Sequence, residues 1–220
     1  MGGEGIHITG TGILLSAQPA LLYFRLPTER ELYTSAATMS VILKMMCVLL
    51  CAVFVSAEVM PMTDFDLDKM SGKWYIIGMA TNAEWFVSHK ANKKMGTAML
   101  VPTEDGDLDL SYANLNDDGS CWRMSHLANK TETPARFVFT SQRWGNDNDM
   151  RVVDARFDEY AFIHTIKTKE GVSELLNALY SRNTTVTEDL VEKFKNFSLD
   201  IGILEENILI LPANEECPSA

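Results

Sequence analysis

The sequence is poor in cysteine and has no basic block, no long apolar run, no internal repeat and no low-complexity tract. Its 220 residues include 4 cysteines and 7 prolines, and 19 Lys and Arg stand against 30 Asp and Glu for a net charge of −11. An acidic chain without a clustered basic face repels phosphate backbones, which argues against nucleic-acid binding. The same sign disfavours docking on anionic membranes. The longest uninterrupted apolar run, from Met45 to Val55, is eleven residues, well short of the roughly 20 that a membrane span needs. No stable membrane insertion is therefore expected. His7, His89, His126 and His164 are scattered along the chain, without the HExxH or Cys/His spacing that zinc requires. The carboxylates of 104–109 lack calcium-ligand spacing, so neither a metal nor a cofactor is expected. What is present, 46% hydrophobic and 22% charged residues, is the composition of a folded chain long enough for one sizeable domain.

The apolar run has a specific setting. Lys44 precedes it, and Val55-Ser56-Ala57 closes it with a small-x-small pattern. A basic residue, a short apolar core and small residues at the exit make a secretory signal peptide. It occupies residues 39–57, with Met39 or Met45 as its natural start. The glycine-rich stretch 1–38 then reads as an N-terminal extension outside the fold, and the domain as 58–220. This places the protein outside the cell.

Two further features agree with that address. Removal of the leader takes Cys47 and Cys51 with it and leaves Cys121 and Cys217. Two cysteines in a secreted domain most simply form one disulfide. It would close a loop of nearly a hundred residues, worth about 4–5 kcal/mol on the chain-entropy model. Asn129-Lys-Thr, Asn183-Thr-Thr and Asn196-Phe-Ser are acceptor sequons for N-linked sugar.

From 72 onward, β-rich segments recur at short intervals: 72–81, 94–102, 107–115, 120–128, 135–141, 150–157, 160–167 and 175–182. Between them lie turn clusters such as Asn116-Asp117-Asp118-Gly119, together with 145–149 and 169–173. Eight such strands joined by short loops predict an all-β antiparallel barrel or sandwich. The period then changes. Leu190, Val191, Phe194 and Phe197 form the stripe of one amphipathic helix. Thr185 with Glu188 reads as its capping box, and Gly202 as its stop. A short strand at 207–211 follows.

These residues carry a resemblance. Gly72-Lys73-Trp74 is similar to the G-x-W signature of the lipocalins, Asp158-Glu159-Tyr160 to their second signature, and Arg182 to their third. The order of the three, with the strand ladder and the terminal helix, resembles that family over essentially all of 58–220. The resemblance implies an eight-stranded up-and-down barrel in which Trp74 plugs one end and Arg182 lies over its indole. Within the family, the stretches 82–86, 158–161, 179–182, 192–194 and 202–212 resemble the lipocalin-type prostaglandin D synthase branch. Those enzymes carry a nucleophilic cysteine on the second strand. The position here is Gly96, and glycine offers no nucleophile.

The resemblance therefore implies two functions. One is a secreted, monomeric carrier that binds and transports a small hydrophobic ligand of the fatty acid, retinoid or steroid class in the barrel cavity. The alternative is a prostaglandin-H2 D-isomerase, which Gly96 disfavours because a thiolate is needed and no free cysteine remains. Alternation from an outward Cys121 turns Trp122, Met124 and His126 inward. Phe137 and Phe139, then Met95 and Met99, are expected beside them, with Trp85 and Trp144 at the mouth. N-terminal sequencing of secreted protein is expected to begin at or within a few residues of Glu58; mature chains that retain residues 1–38 would contradict the leader reading.

Overall fold

The computed structural model describes residues 58–218 and the single position Val41. The leader, its cleavage site and the 1–38 extension otherwise lie outside the described residues. Eight strands form one antiparallel sheet in chain order: β1 (Gly72–Ala80), β2 (Gly96–Pro102), β3 (Leu108–Leu115), β4 (Cys121–Lys130), β5 (Arg136–Ser141), β6 (Asn146–Arg156), β7 (Tyr160–Lys169) and β8 (Val172–Ser181). β1 pairs with β8 on one side and with β2 on the other, so the sheet closes on itself. The ring is the expected eight-stranded up-and-down barrel, and closure removes the free edges that an open sheet exposes. The short β9 (Ile208–Ile210) adds to the upper part of β1, beyond the stretch that pairs with β2.

Three α-helices lie outside the strand ladder among the described residues. Helix α1 (Leu67–Met70) precedes β1, and α2 (Glu84–Val87) sits in the long connection from β1 to β2. Helix α3 (Glu188–Asp200) follows β8, as its apolar stripe requires. Its cap is Thr187 rather than Thr185: the Thr187 hydroxyl accepts from the Leu190 amide at 3.3 Å. A threonine one residue before the first helical position satisfies a free amide that Thr185 is too far upstream to reach. Gly202, with φ +87°, ends the helix in the left-handed conformation.

The strands run further than the turn residues suggest. β6 begins at Asn146 and β8 at Val172, inside segments rich in Asn, Asp, Gly and Ser. The polar side chains of β6 are accommodated by partners across the sheet. Asp149 takes a bidentate bond from Arg136, at 2.9 Å to each oxygen, and Thr140 donates to Asp147 at 2.6 Å. Cross-strand pairing of this kind overrides the low strand propensity of Asp and Asn.

One sheet serves two cores. Inside the barrel, Trp74, Leu100, Leu108, Leu110, Phe137, Val152 and Ile163 are buried together. On the outer wall, Ile77, Leu179 and Phe162 pack against Leu190 and Phe194 of α3. Alternation along β1, β7 and β8 supplies both sets. Tyr160, the last residue of the second signature, ties these layers: its hydroxyl donates to Asp154 at 3.0 Å and accepts from Lys193 of α3 at 2.9 Å. Asp158 stays exposed in the turn before it.

The lower end of the barrel is shut by an arginine and a tryptophan. The Arg182 guanidinium lies 3.6 Å from the centre of the Trp74 ring. Its nitrogens donate to the carbonyls of Phe157, Lys73, Lys69 and Ser71 at 2.9–3.0 Å. The Trp74 indole donates to the Met70 carbonyl at 2.9 Å. Gly72 has φ +96°, and a Cβ there would meet the guanidinium at 3.4 Å, so the signature glycine serves both backbone and packing. Arg182 thereby joins α1, β1, the β6–β7 turn and β8. Cys121 and Cys217 are joined in a disulfide with a Cα separation of 5.8 Å. It holds the tail across the outside of the first strands, where Glu216 also bonds Lys73 and Tyr75.

Replacing Arg182 by Met is expected to lower stability by about 2–3 kcal/mol, because several carbonyls lose a charged donor together. Arg182→Lys is expected to recover little, since an ammonium lacks the planar fork that spans these acceptors and covers the indole. Denaturant unfolding of the three proteins measures this.

Candidate functional site

Cross-strand partners share a face, and one chain of partners fixes the inside of the barrel. Trp74 stands opposite Ala98, Ala98 opposite Tyr112, and Tyr112 opposite Met124. Around the other side, Phe137, Met150, Thr165 and Leu176 are linked in the same way. The lower half of this interior is filled, with Trp74 and Leu108 at 0% exposure and Leu110 at 1%. The upper half differs. Tyr112, Trp122, Met124, His126, Phe139 and Leu176 all point inward, yet each is only half-buried. Inside a closed wall, side chains with that accessibility border a space that solvent enters. The site is a one-ended lumen with an aromatic wall.

The aromatic wall is packed at defined geometry. His126 stacks on Phe139 with centroids 4.7 Å apart, and Tyr112 meets the same imidazole edge-on at 6.4 Å. Burial, and then the charge of Lys167, hold the imidazole of His126 below the ordinary histidine range, so it is neutral at pH 7. Deeper in, the Tyr180 hydroxyl donates to that of Tyr112 at 3.3 Å. Burial pushes both phenols up, which keeps them as neutral hydrogen-bonding groups.

Trp85 lies on α2 and Trp144 in the β5–β6 turn, both at the open end and 40% and 50% exposed. The Trp85 indole donates to Glu174 at 3.1 Å. Arg143 lies over Trp144 at 5.1 Å and Trp122 at 5.9 Å. Phe137 belongs to the floor, 3% exposed and edge-on to Phe65 at 5.9 Å.

Met95 and Met99 do not line the lumen. Gly96, Ala98 and Leu100 hold the inward positions of β2, and a period of two sends their odd-numbered neighbours out. Met99 is 40% exposed on the outer face, and Met95 is buried in the outer core that packs against α3. A second set of inward residues lies beyond the expected aromatic and thioether wall. Ser141, Asn148 and Lys167 lie on strands β5, β6 and β7 at the open end. The period of two through Ala161, Ile163, Thr165 and Lys167 carried that signal.

Gly96 faces the lumen opposite Ile76. Its neighbour is Asn114, whose side-chain amide donates to the carbonyls of Lys94 and Met95 at 3.0 and 3.2 Å. A Cβ at Gly96 would come within 2.9 Å of both that amide nitrogen and the Ala113 carbonyl oxygen. Close approach, not an unusual φ, is what requires glycine. No free thiol is present among the described residues, because Cys121 and Cys217 are bonded to each other. Nor do the described residues contain a group of three or more His, Cys, Asp or Glu placed to hold a metal. Gly96→Cys is expected to cost about 1–3 kcal/mol by overpacking. Gly96→Cys with Asn114→Ala is expected to recover part of it, as thermal unfolding would show.

The profile of the Lipocalin / cytosolic fatty-acid binding protein family matches residues 71–215. A protein named "Lipocalin" from Rhinella marina is 40% identical over 81% of this chain and 97% of its own length. A prostaglandin-H2 D-isomerase from Felis catus is 34% identical over 73% of this chain and 84% of its own. Among solved structures, one reported under "The Siderocalin Ex-FABP functions through dual ligand specificities" superposes with a TM-score of 0.59. It is 26% identical and covers 67% of this chain and 96% of that one. With the closed barrel, the Arg182–Trp74 plug and a family match across the whole of it, the chain belongs to the lipocalin family, near the prostaglandin D synthase branch.

Proposed function

We propose that this protein is a secreted, monomeric carrier that holds one small apolar ligand, of the fatty acid, retinoid or steroid class, in the open half of its barrel. The observation that carries this reading is the contrast along the barrel axis: inward residues are packed below and half-accessible above. An eight-stranded barrel has room for one small ligand, and a wall of Trp122, Met124 and Phe139 offers it aromatic and thioether surface. Phe137 supplies the floor, while Trp85 and Trp144 stand at the mouth. Secretion is supported by the disulfide and by the exposure of Asn129, Asn183 and Asn196, which we assign as sugar acceptors.

The second reading, prostaglandin-H2 D-isomerase, is favoured by the name of the Felis catus relative and its neighbours. Chemistry weighs against it. The resembling enzymes need a thiolate, and Gly96 stands where theirs is carried, with Asn114 filling the space a side chain would take. Hydroxyls such as Thr97 are poor nucleophiles without an adjacent base.

Titration with the fluorescent fatty acid cis-parinaric acid tests the proposal. Saturable one-to-one binding with quenching of tryptophan emission is expected, and Phe139→Arg is expected to weaken it at least tenfold by placing an unpaired charge in the lumen. Conversion of prostaglandin H2 to prostaglandin D2 is expected to stay at the spontaneous rate. Thiol-independent turnover by the unmodified protein would overturn the carrier reading.

A further inference from the structure

The barrel wall is not bonded evenly around its circumference. β3 and β4 pair continuously, from Leu108 with Ala128 to Leu115 with Cys121, and β6 pairs with β5 along all of Arg136–Ser141. Between β4 and β5 only two pairs form, Asn129 with Val138 and Lys130 with Phe137, both at the lower end. Continuing that register upward would set Ala128, Leu127 and His126 against Phe139, Thr140 and Ser141, but no such pairs form. Above Ser141 the chain turns into β6, while β4 extends upward to Cys121. The two strands therefore diverge toward the rim. Among the described residues, Cys121–Ala128 pairs with β3 alone.

Main-chain groups that lack a ladder partner must meet water, so the wedge between these strands is wet. Parting its banks breaks no strand-to-strand bond, unlike parting any other seam of the barrel. Side chains alone span it. His126 of β4 stacks on Phe139 of β5 with centroids 4.7 Å apart. Higher up, Arg143 of the β5–β6 turn reaches over Trp122 of β4 at 5.9 Å. Leu127 and Val138 point outward on either bank near the foot of the wedge, 50% and 37% exposed. They offer apolar surface just outside the opening.

The top of the barrel is held more firmly. The β1–β2 connection that carries α2 is anchored by Phe86, at 0% exposure, and by the Trp85 indole on Glu174 of β8. Lys90, in the same connection, donates to the Glu206 carbonyl at 2.6 Å and to the Asn207 side-chain oxygen at 2.9 Å. We infer that the wedge between β4 and β5 is the ligand's entrance: an apolar molecule passes sideways into the open half of the lumen when the His126–Phe139 stack and the Arg143–Trp122 contact part. This goes beyond the carrier reading and rests on it.

Tying the banks together tests the entrance. Leu127→Cys with Thr140→Cys places one thiol on the outer face of each strand, clear of the lumen. The folded protein is bridged with 1,3-dibromoacetone, which leaves the Cys121–Cys217 bond intact, and is compared with the same variant capped by iodoacetamide. Stopped-flow mixing with cis-parinaric acid is expected to show association and dissociation both slowed at least about tenfold by the bridge, because a step that must precede docking limits the rate. The affinity should stay nearly constant, since entry and exit share one route. An equivalent bridge through Thr168→Cys and Ser173→Cys, on the fully paired β7–β8 seam, is expected to leave both rates unchanged. Arg143→Ala, which removes one side-chain tie without any bridge, is expected to raise both rates severalfold at nearly constant affinity. Rates unaffected by the β4–β5 bridge, equal slowing by the β7–β8 bridge, or rates unmoved in Arg143→Ala would overturn the entrance and leave the carrier reading standing. Failure of the folded, unmodified protein to bind the probe at all would overturn both.

Discussion

The stacking of Arg182 on Trp74 is the constraint from which the rest of the barrel follows. A guanidinium 3.6 Å from an indole centre, with its donors spent on four backbone carbonyls, shuts one end and leaves the other as the way in. A cation–π contact contributes about 0.5–2 kcal/mol, but here the larger consequence is geometric. The same side chain fastens the entry helix, the first strand, a turn and the last strand, so the barrel closes around a fixed point. Depth inside the barrel thereby becomes a coordinate: packed apolar core at the bottom, half-accessible aromatics above, polar groups beneath the rim.

The outer core makes this arrangement affordable for a chain that leaves part of its interior open. A barrel with an unfilled upper half forgoes burial that a solid core would provide, at about 25 cal/mol for each Å² left exposed. Helix α3 compensates from outside, burying Leu190 and Phe194 against Ile77, Phe162 and Leu179. Polar seals reinforce that seam. Asn177 lies between His164 and Ser198, at 2.8 and 3.0 Å, all three buried. The tail, held by the Cys121–Cys217 bridge, covers the neighbouring strands. Stability is thus drawn largely from surfaces that do not touch the lumen, which leaves the lumen's residues available to suit a ligand.

Most of the fold was legible because its signals are local and periodic. Eight β-rich segments, the Trp74 and Arg182 signatures, the helix stripe and the two cysteines each announce themselves within a few residues. Strand ends were less legible where polar residues are stabilised by partners across the sheet, as Asp149 is by Arg136. The site divides in the same way. Trp122, Met124 and His126 follow from alternation once an outward cysteine sets the phase, and their inward placement agrees with that phase. Met95 and Met99 stand close to the inward Gly96 in sequence, but adjacency is the wrong measure on a strand whose successive side chains face opposite ways. The inward phase of Lys167 is legible from the period of two on β7, whereas its neighbourhood with Asn148 and the adjoining β5 depends on three strands coming together.

Gly96 sets the chemical limit of the site. Its own backbone is unremarkable, but Asn114 and Ala113 occupy the space in which a side chain would stand, so the loss of a thiol position is built into two strands. The account's central claim is that the lumen holds one small apolar molecule. Native mass spectrometry of protein secreted into lipid-containing medium tests it most directly. The account predicts a folded chain carrying a single small-molecule adduct, released unchanged on denaturation. A bare chain that also takes up no lipid when one is offered would contradict it.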